Sequence, residues 1–186
     1  MKKIAVLLAE GFEEGEALFT VDVLRRAGFH CDAVSLKGEQ VTGSHGITVR
    51  ADKAWDEAMA AYDMVVLPGG LPGATNLRDD ARVIELVRAF DREGKGIAAI
   101  CAAPMVLARA GIMKGRRVTS YPGEQYEALF ADADYREEIV VRDGNVITSR
   151  GPATTLPFAY ALVEALGGDA SKLREGMLFD MLMKKI

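Results

Sequence analysis

The stretch Ile97-Ala98-Ala99-Ile100-Cys101-Ala102-Ala103-Pro104 decides how the chain folds. Its first four residues are a continuous apolar run, as expected of a strand buried on both faces. The segment that follows, to residue 110, has a helical composition, with its proline in the first turn, where a missing N–H is tolerated. A buried strand passing straight into a helix is the half-unit of a parallel sheet, because parallel neighbours need a crossover of a dozen or so residues. Outward from this stretch the same alternation recurs. Residues 4–8 form a first apolar run that ends at Ala9-Glu10-Gly11; residues 13–27 then place Ala17, Leu18, Val21 and Leu24 at helical spacing, with acids in the first turn and Arg25-Arg26 near the end. Residues 31–36 and 64–67 read as further strands, the second halted by Pro68-Gly69-Gly70-Leu71-Pro72-Gly73. Residues 81–93 repeat the helical pattern before the strand at 97–100. Residues 41–50 alternate like an antiparallel hairpin, and Asp143-Gly144 marks a turn between strands at 139–141 and 146–148. Residues 154–166 read as an apolar helix and 170–183 as a last one. The expectation is an α/β fold with a mainly parallel sheet, in one domain over residues 1–186, since no repeat, low-complexity tract or linker interrupts the pattern.

Composition narrows the function. The 186 residues are 49% hydrophobic and 27% charged, enough for a substantial core. Lys and Arg number 23 against 27 Asp and Glu, a net charge of −4 that offers no electrostatic reason to expect nucleic acid or an anionic membrane as partner. No apolar run approaches the roughly 20 residues needed to cross a bilayer. Met1-Lys2-Lys3 leads within a few residues to Glu10 rather than into a signal-peptide core, so a cytoplasmic protein is expected. Cys31 and Cys101 are too few for a disulfide framework and read as free thiols.

In open α/β sheets ligands bind beyond the carboxyl ends of strands. Three segments qualify: residues 10–16, Gly69-Gly70 and Cys101-Ala102. A cysteine on a sharp strand-to-helix turn stands clear of the sheet, and the positive end of the next helix favours thiolate. The N–H groups of Ala102 and Gly70 are placed to stabilise an oxyanion formed when such a thiolate attacks a carbonyl. The plainer alternative is a buried cysteine packing as a small hydrophobe. Glu13, Glu14 and Glu16 would ordinarily be a solvated first turn; one turned inward would have a raised pKa and could carry a proton, and spacing does not choose among them. His30 and His45 are the only histidines, and His45 is the better candidate for a Cys-His pair. With no Cys-x-x-Cys, no His-Glu-x-x-His and no phosphate-loop ending, neither a metal nor a nucleotide cofactor is expected. Met177, Met181 and Met183 read as helix packing or a dimer contact.

At these residues the sequence resembles the ThiJ/PfpI superfamily, in the branch of the Parkinson-disease-associated protein deglycase. The resemblance spans nearly the whole chain and rests on residues 9–16, 21–28, 65–70, 97–104 and 148–152. It implies a flavodoxin-like three-layer sandwich, usually a homodimer, with Cys101 as elbow nucleophile and Glu16 as the acid hydrogen-bonded to it. It places Gly69, Gly70 and Ala102 around an anion pocket, and Arg26 near the partner subunit's site. One departure stands out. Where well-known members carry a histidine in a Thr-His-Pro-like segment, this chain has Ser120-Tyr121-Pro122, and a phenol is a poor proton acceptor at neutral pH. Tyr121 is therefore the residue to examine in the place of that base. The resemblance implies cofactor-independent, glyoxalase- or deglycase-like action on a small reactive aldehyde or a glycated protein. Its rival is an oxidation sensor or redox-regulated chaperone that uses the same thiol. A role in thiazole monophosphate biosynthesis is a third reading.

Overall fold

A computed structural model describes residues 1–185. In chain order its elements are β1 (Lys3–Leu8), α1 (Glu14–Arg26), β2 (His30–Ser35), β3 (Gln40–Thr42), β4 (Thr48–Arg50), β5 (Lys53–Ala54), β6 (Met64–Leu67), α2 (Gly73–Asp79), α3 (Ala81–Arg92), β7 (Gly96–Ile100), α4 (Pro104–Ala110), β8 (Arg117–Val118), α5 (Glu124–Glu127), β9 (Asp134–Tyr135), β10 (Val140–Asp143), β11 (Val146–Ser149), α6 (Thr155–Ala165), α7 (Ser171–Gly176) and α8 (Phe179–Met183). The α/β architecture with a mainly parallel sheet is the one expected.

Seven strands form the sheet in the order β10-β11-β7-β6-β1-β2-β5, all parallel except β10. The central strands are apolar runs because helices cover both faces: Ile4, Ala5, Val6 and Leu7 of β1 and Ile97, Ala98, Ala99 and Ile100 of β7 are wholly buried. On one face α1 and α6 pack Ala17, Leu24, Phe158, Leu162 and Val163 against Val6, Val66 and Ala98. On the other, α2, α3 and α4 bring Leu77, Val83, Phe90, Val106 and Leu107 against Leu7, Leu67 and Ala99. Asp80 caps α3 by accepting the N–H of Arg82 at 2.9 Å, which satisfies one of the orphan donors of its first turn.

The topology also positions the site. From β1 the chain crosses through α1 to β2 on one side; after the β3–β4 hairpin and β5 it returns to lay β6 on the other side of β1. Where strand order reverses, the loops leaving β1 and β6 diverge to opposite faces and open a crevice at their carboxyl ends. The elbow after β7 is the next element along that edge.

Several details differ from expectation. The loop after β6 gives way to a short helix, α2, hidden in the sequence by Gly73 and Asn76, both weak helix formers. The expected last helix is two, α7 and α8, because Leu178 between them adopts φ +61 and breaks the path. Asp143 pairs directly with Val146, so the β10–β11 turn is centred on Gly144-Asn145 rather than on Asp143-Gly144. Among the described residues no helix is long and apolar enough to cross a membrane.

Phe158 fills the contact between α6 and the sheet without any exposure. Phe158→Ala should lower unfolding free energy in urea by about 3–5 kcal/mol; a loss below about 1 kcal/mol would show that this layer is not the tightly packed core described.

Candidate active site

The site begins with a strained residue. Cys101, the residue after β7, adopts φ +63, a left-handed conformation that costs a non-glycine residue on the order of 1–3 kcal/mol. Two main-chain bonds hold it there: its N–H donates to the Ser149 carbonyl at 3.0 Å, and its own carbonyl accepts the N–H of Tyr121 at 2.8 Å. The turn then passes through Ala102 and Ala103 into α4, whose first residue is Pro104. This is the expected strand-to-helix elbow, and it leaves Cys101 only 9% exposed.

Glu16 comes from the first turn of α1. Its side chain turns in from the helix and is almost wholly buried, so of the three clustered glutamates it is the one set against the thiol. Oε2 accepts the Gly69 N–H at 2.7 Å, while Oε1 is buried and finds no hydrogen-bond donor among the described residues. Burial raises the carboxyl to about 7, against the lowering effect of the Gly69 N–H and the contact with Cys101, and with the charge of Glu13 adding to the rise. An orphaned buried oxygen is costly on a carboxylate and natural on a carboxylic acid, which can use it as a donor.

Gly69 makes this contact possible. A Cβ there would lie 2.6 Å from the Cys101 Cβ and 2.8 Å from Glu16 Oε2, so any side chain would separate acid from thiol. Gly70, at φ +82, passes so close to the loop after β1 that a Cβ would fall 2.4 Å from the Glu13 nitrogen. That loop is tied in turn by the Glu13 N–H donating to the Gly69 carbonyl at 2.9 Å. The N–H groups of Gly70 and Ala102 both act on the sulfur and pull its pKa down. The thiol nevertheless moves the other way from the sequence expectation. Burial pushes Cys101 up to about 12, and the charge and hydrogen bond of Glu16 add to it, because desolvation outweighs two backbone dipoles.

Other candidates lie at different places. Tyr121 is 45% exposed, with its ring over Gly151 and edge-on to Tyr126 at a centroid distance of 6.0 Å. The Tyr126 phenol is raised by burial and then by Cys101 and Tyr121. Sequence reasoning missed Tyr126, because α5 is four residues long and carries no motif. Arg26 is exposed at the far end of α1, about 15 Å along the helix from Glu16, and pairs with Asp22 at 2.8 Å. In this chain Arg26 does not reach Cys101 or Glu16. His45 bonds to Glu14 and Ser44, not to Cys101. Cys31 is buried on β2, where burial pushes its thiol to about 12.

Known proteins are similar to the chain in sequence and in overall fold. The chain is 44% identical over 173 residues to the Parkinson disease protein 7 homolog of Danio rerio, covering 90% of each chain. It is 34% identical over 165 residues to a protein named a deglycase from Pyrococcus abyssi, covering 88% of this chain and 99% of that one. The crystal structure of Drosophila melanogaster DJ-1beta superposes with a TM-score of 0.90 at 40% identity, over 95% of this chain and 97% of that one. The model of the DJ-1/PfpI family matches residues 2–165, and the chain belongs to that family.

Proposed function

We propose that this protein is a cofactor-independent enzyme acting on small reactive aldehydes such as methylglyoxal, and on the early adducts they form with proteins. The observation that carries the reading is the buried Glu16 carboxyl, with one oxygen lacking a donor, set against the Cys101 thiol beneath two N–H groups. The relative named a deglycase supports the same substrate class.

The chemistry follows from the pair. Two negative charges in this buried space repel each other, so the pair keeps one proton near neutral pH. With that proton on Glu16, the charge and hydrogen bond that raise the thiol are removed; desolvation remains, and the N–H groups of Gly70 and Ala102 offset part of its cost as the thiolate forms during attack. The sulfur adds to the aldehyde carbon, a C–S bond forms and the carbonyl π pair moves onto oxygen. That oxygen takes the proton of Glu16, giving a hemithioacetal. Glu16, now a carboxylate, removes the hydrogen from the carbon bearing sulfur to leave an enediolate and returns it to the neighbouring carbon, while the hydroxyl proton of the first carbon passes to the oxygen of the second. The product is a thioester of the 2-hydroxy acid, and water cleaves it to release lactate and the thiol. One carbon is oxidised while its neighbour is reduced, so no external electron carrier enters the balance. Neither Tyr121 nor Tyr126 is needed as the base in this scheme.

Four measurements test the reading. Cys101→Ala, shown folded by circular dichroism, should produce no lactate from methylglyoxal; unchanged turnover eliminates the scheme. Sulfinate formation at Cys101 under mild peroxide, with negligible aldehyde turnover by the unmodified protein, is instead the result expected of an oxidation sensor.

Gly69→Ala should reduce turnover by on the order of 100-fold by displacing acid from sulfur. Gly28→Ala serves as a control for added bulk at a glycine, because nothing lies within 4 Å of a Cβ there, though its φ of +82 still carries a backbone cost. Equal losses of activity in the two folded variants would contradict the contact described.

Glu16 also makes stability depend on pH. Its folded pKa of about 7 exceeds the unfolded value near 4.5, so the buried acid is favourable below about pH 4.5 and that contribution is lost as pH rises through 7. The neutral isostere Glu16→Gln should therefore be more stable than the parent at pH 8, by about 3 kcal/mol, with the gap closing toward pH 4.5. Urea unfolding at both pH values would show this, and a gap that did not change with pH would place Glu16 in water.

A further inference from the structure

Beside the elbow, the β3–β4 loop folds over the start of α1 and brings four donor groups together. We propose that Glu13, Glu14, Ser44 and His45 form a divalent transition-metal site suited to Zn²⁺. This site stands apart from the aldehyde chemistry and does not depend on it.

The argument is first one of spacing. His45 Nδ1 lies 3.0 Å from Glu14 Oε2 and 3.6 Å from Glu13 Oε2. Ser44 Oγ lies 3.1 Å from His45 Nδ1, 3.3 Å from Glu13 Oε2 and 3.4 Å from Glu14 Oε2. The two glutamates offer oxygens within 4.8 Å of each other. A tetrahedral ion with metal–ligand bonds of about 2.0–2.2 Å has ligand–ligand edges of about 3.3–3.6 Å. The loop and the helix thus hold their donors at nearly the separations that an ion at their centre would require. An ordinary His-Glu ion pair needs one carboxylate. Here two carboxylates and a hydroxyl converge on a single ring nitrogen, and imidazole with carboxylate is a donor set that suits Zn²⁺.

The surroundings are built to keep one ligand in place. The Glu14 side chain is only 6% exposed. Its Oε1 accepts the N–H of His45 at 2.8 Å and that of Ile47 at 3.4 Å, which leaves Oε2 turned toward Nδ1. Gly43 provides the room: a Cβ there would fall 2.3 Å from the Glu14 carboxyl carbon. Hydrogen bonds from the His45 and Ile47 N–H groups and the contact with Nδ1 fix the Glu14 carboxyl in this position. The His45 ring is 68% exposed and gives an ion a path in from solvent.

The test is calorimetric titration of the full chain with ZnCl₂ at pH 7.5, in a Cys101→Ala background that removes the nearby thiol as a competing ligand. One Zn²⁺ per chain is expected. His45→Arg keeps a cation beside Glu14 and so preserves the ion pair, but it cannot ligate; it should abolish this binding while leaving the circular dichroism spectrum unchanged. Gly43→Ala, which displaces Glu14, should weaken binding on the order of 10–100-fold. Co²⁺ should give the visible absorption of a four-coordinate ion, lost in His45→Arg. Failure to take up Zn²⁺, or uptake that survives His45→Arg unchanged, would overturn the proposal.

Discussion

A carboxyl and a thiol pressed together away from water cannot both be charged, and the arrangement of this protein follows from that constraint. Burial raises Glu16 to about 7 and Cys101 to about 12, and the charge of Glu16 adds to the rise of the thiol, so the pair holds on to a proton near neutral pH. Against this stand two backbone N–H groups at the sulfur and one at Glu16 Oε2. These fixed dipoles need no reorganisation when charge appears, which is how buried sites stabilise anions that water would otherwise solvate. Oε1, left without a donor, is the position from which a proton can be handed to a bound oxygen.

The fold supplies the close approach the pair requires. Three loops from β1, β6 and β7 meet where the sheet changes direction, and they meet through backbone rather than side chains. Gly69 lies against Cys101 and Glu16, Gly70 against Glu13, and Gly73 against Gly11, each with a virtual Cβ inside 3 Å of a neighbour. Cys101 itself accepts a strained φ because Ser149 and Tyr121 hold its two main-chain polar groups. The cost of that backbone is offset by the two packed layers on either side of the sheet.

The loop over α1 shows the opposite use of carboxylates. Glu16 is starved of donors and tends to neutrality, whereas Glu14, one residue from Glu13 and two from Glu16, is surrounded by them and stays ionised. Glu13 connects the two regimes: its charge raises Glu16, while its carboxylate faces His45. Three acids within four residues therefore have three electrostatic environments, which no reading of spacing could have assigned.

Periodicity and punctuation alone determined the α/β class, the central strands, the elbow at Cys101 and the importance of residues 10–16, 69–70 and 101–102. These are local properties: apolar runs of strand length, helical spacing, and glycines where chains must approach. Short elements escaped, because α2, α5 and β5 owe their form to neighbours rather than to their own seven, four and two residues. Which glutamate meets the sulfur was open from spacing, and only the packing of α1 against the sheet turned Glu16 inward. The ionisation of the thiol was read from the helix end and came out reversed, since desolvation depends on every group around the sulfur and is not written in the residues beside it. The meeting of His45 with Glu13 and Glu14, across roughly thirty residues of chain, likewise belongs to the tertiary structure, because contacts over such separations are set by how layers pack and not by local preference.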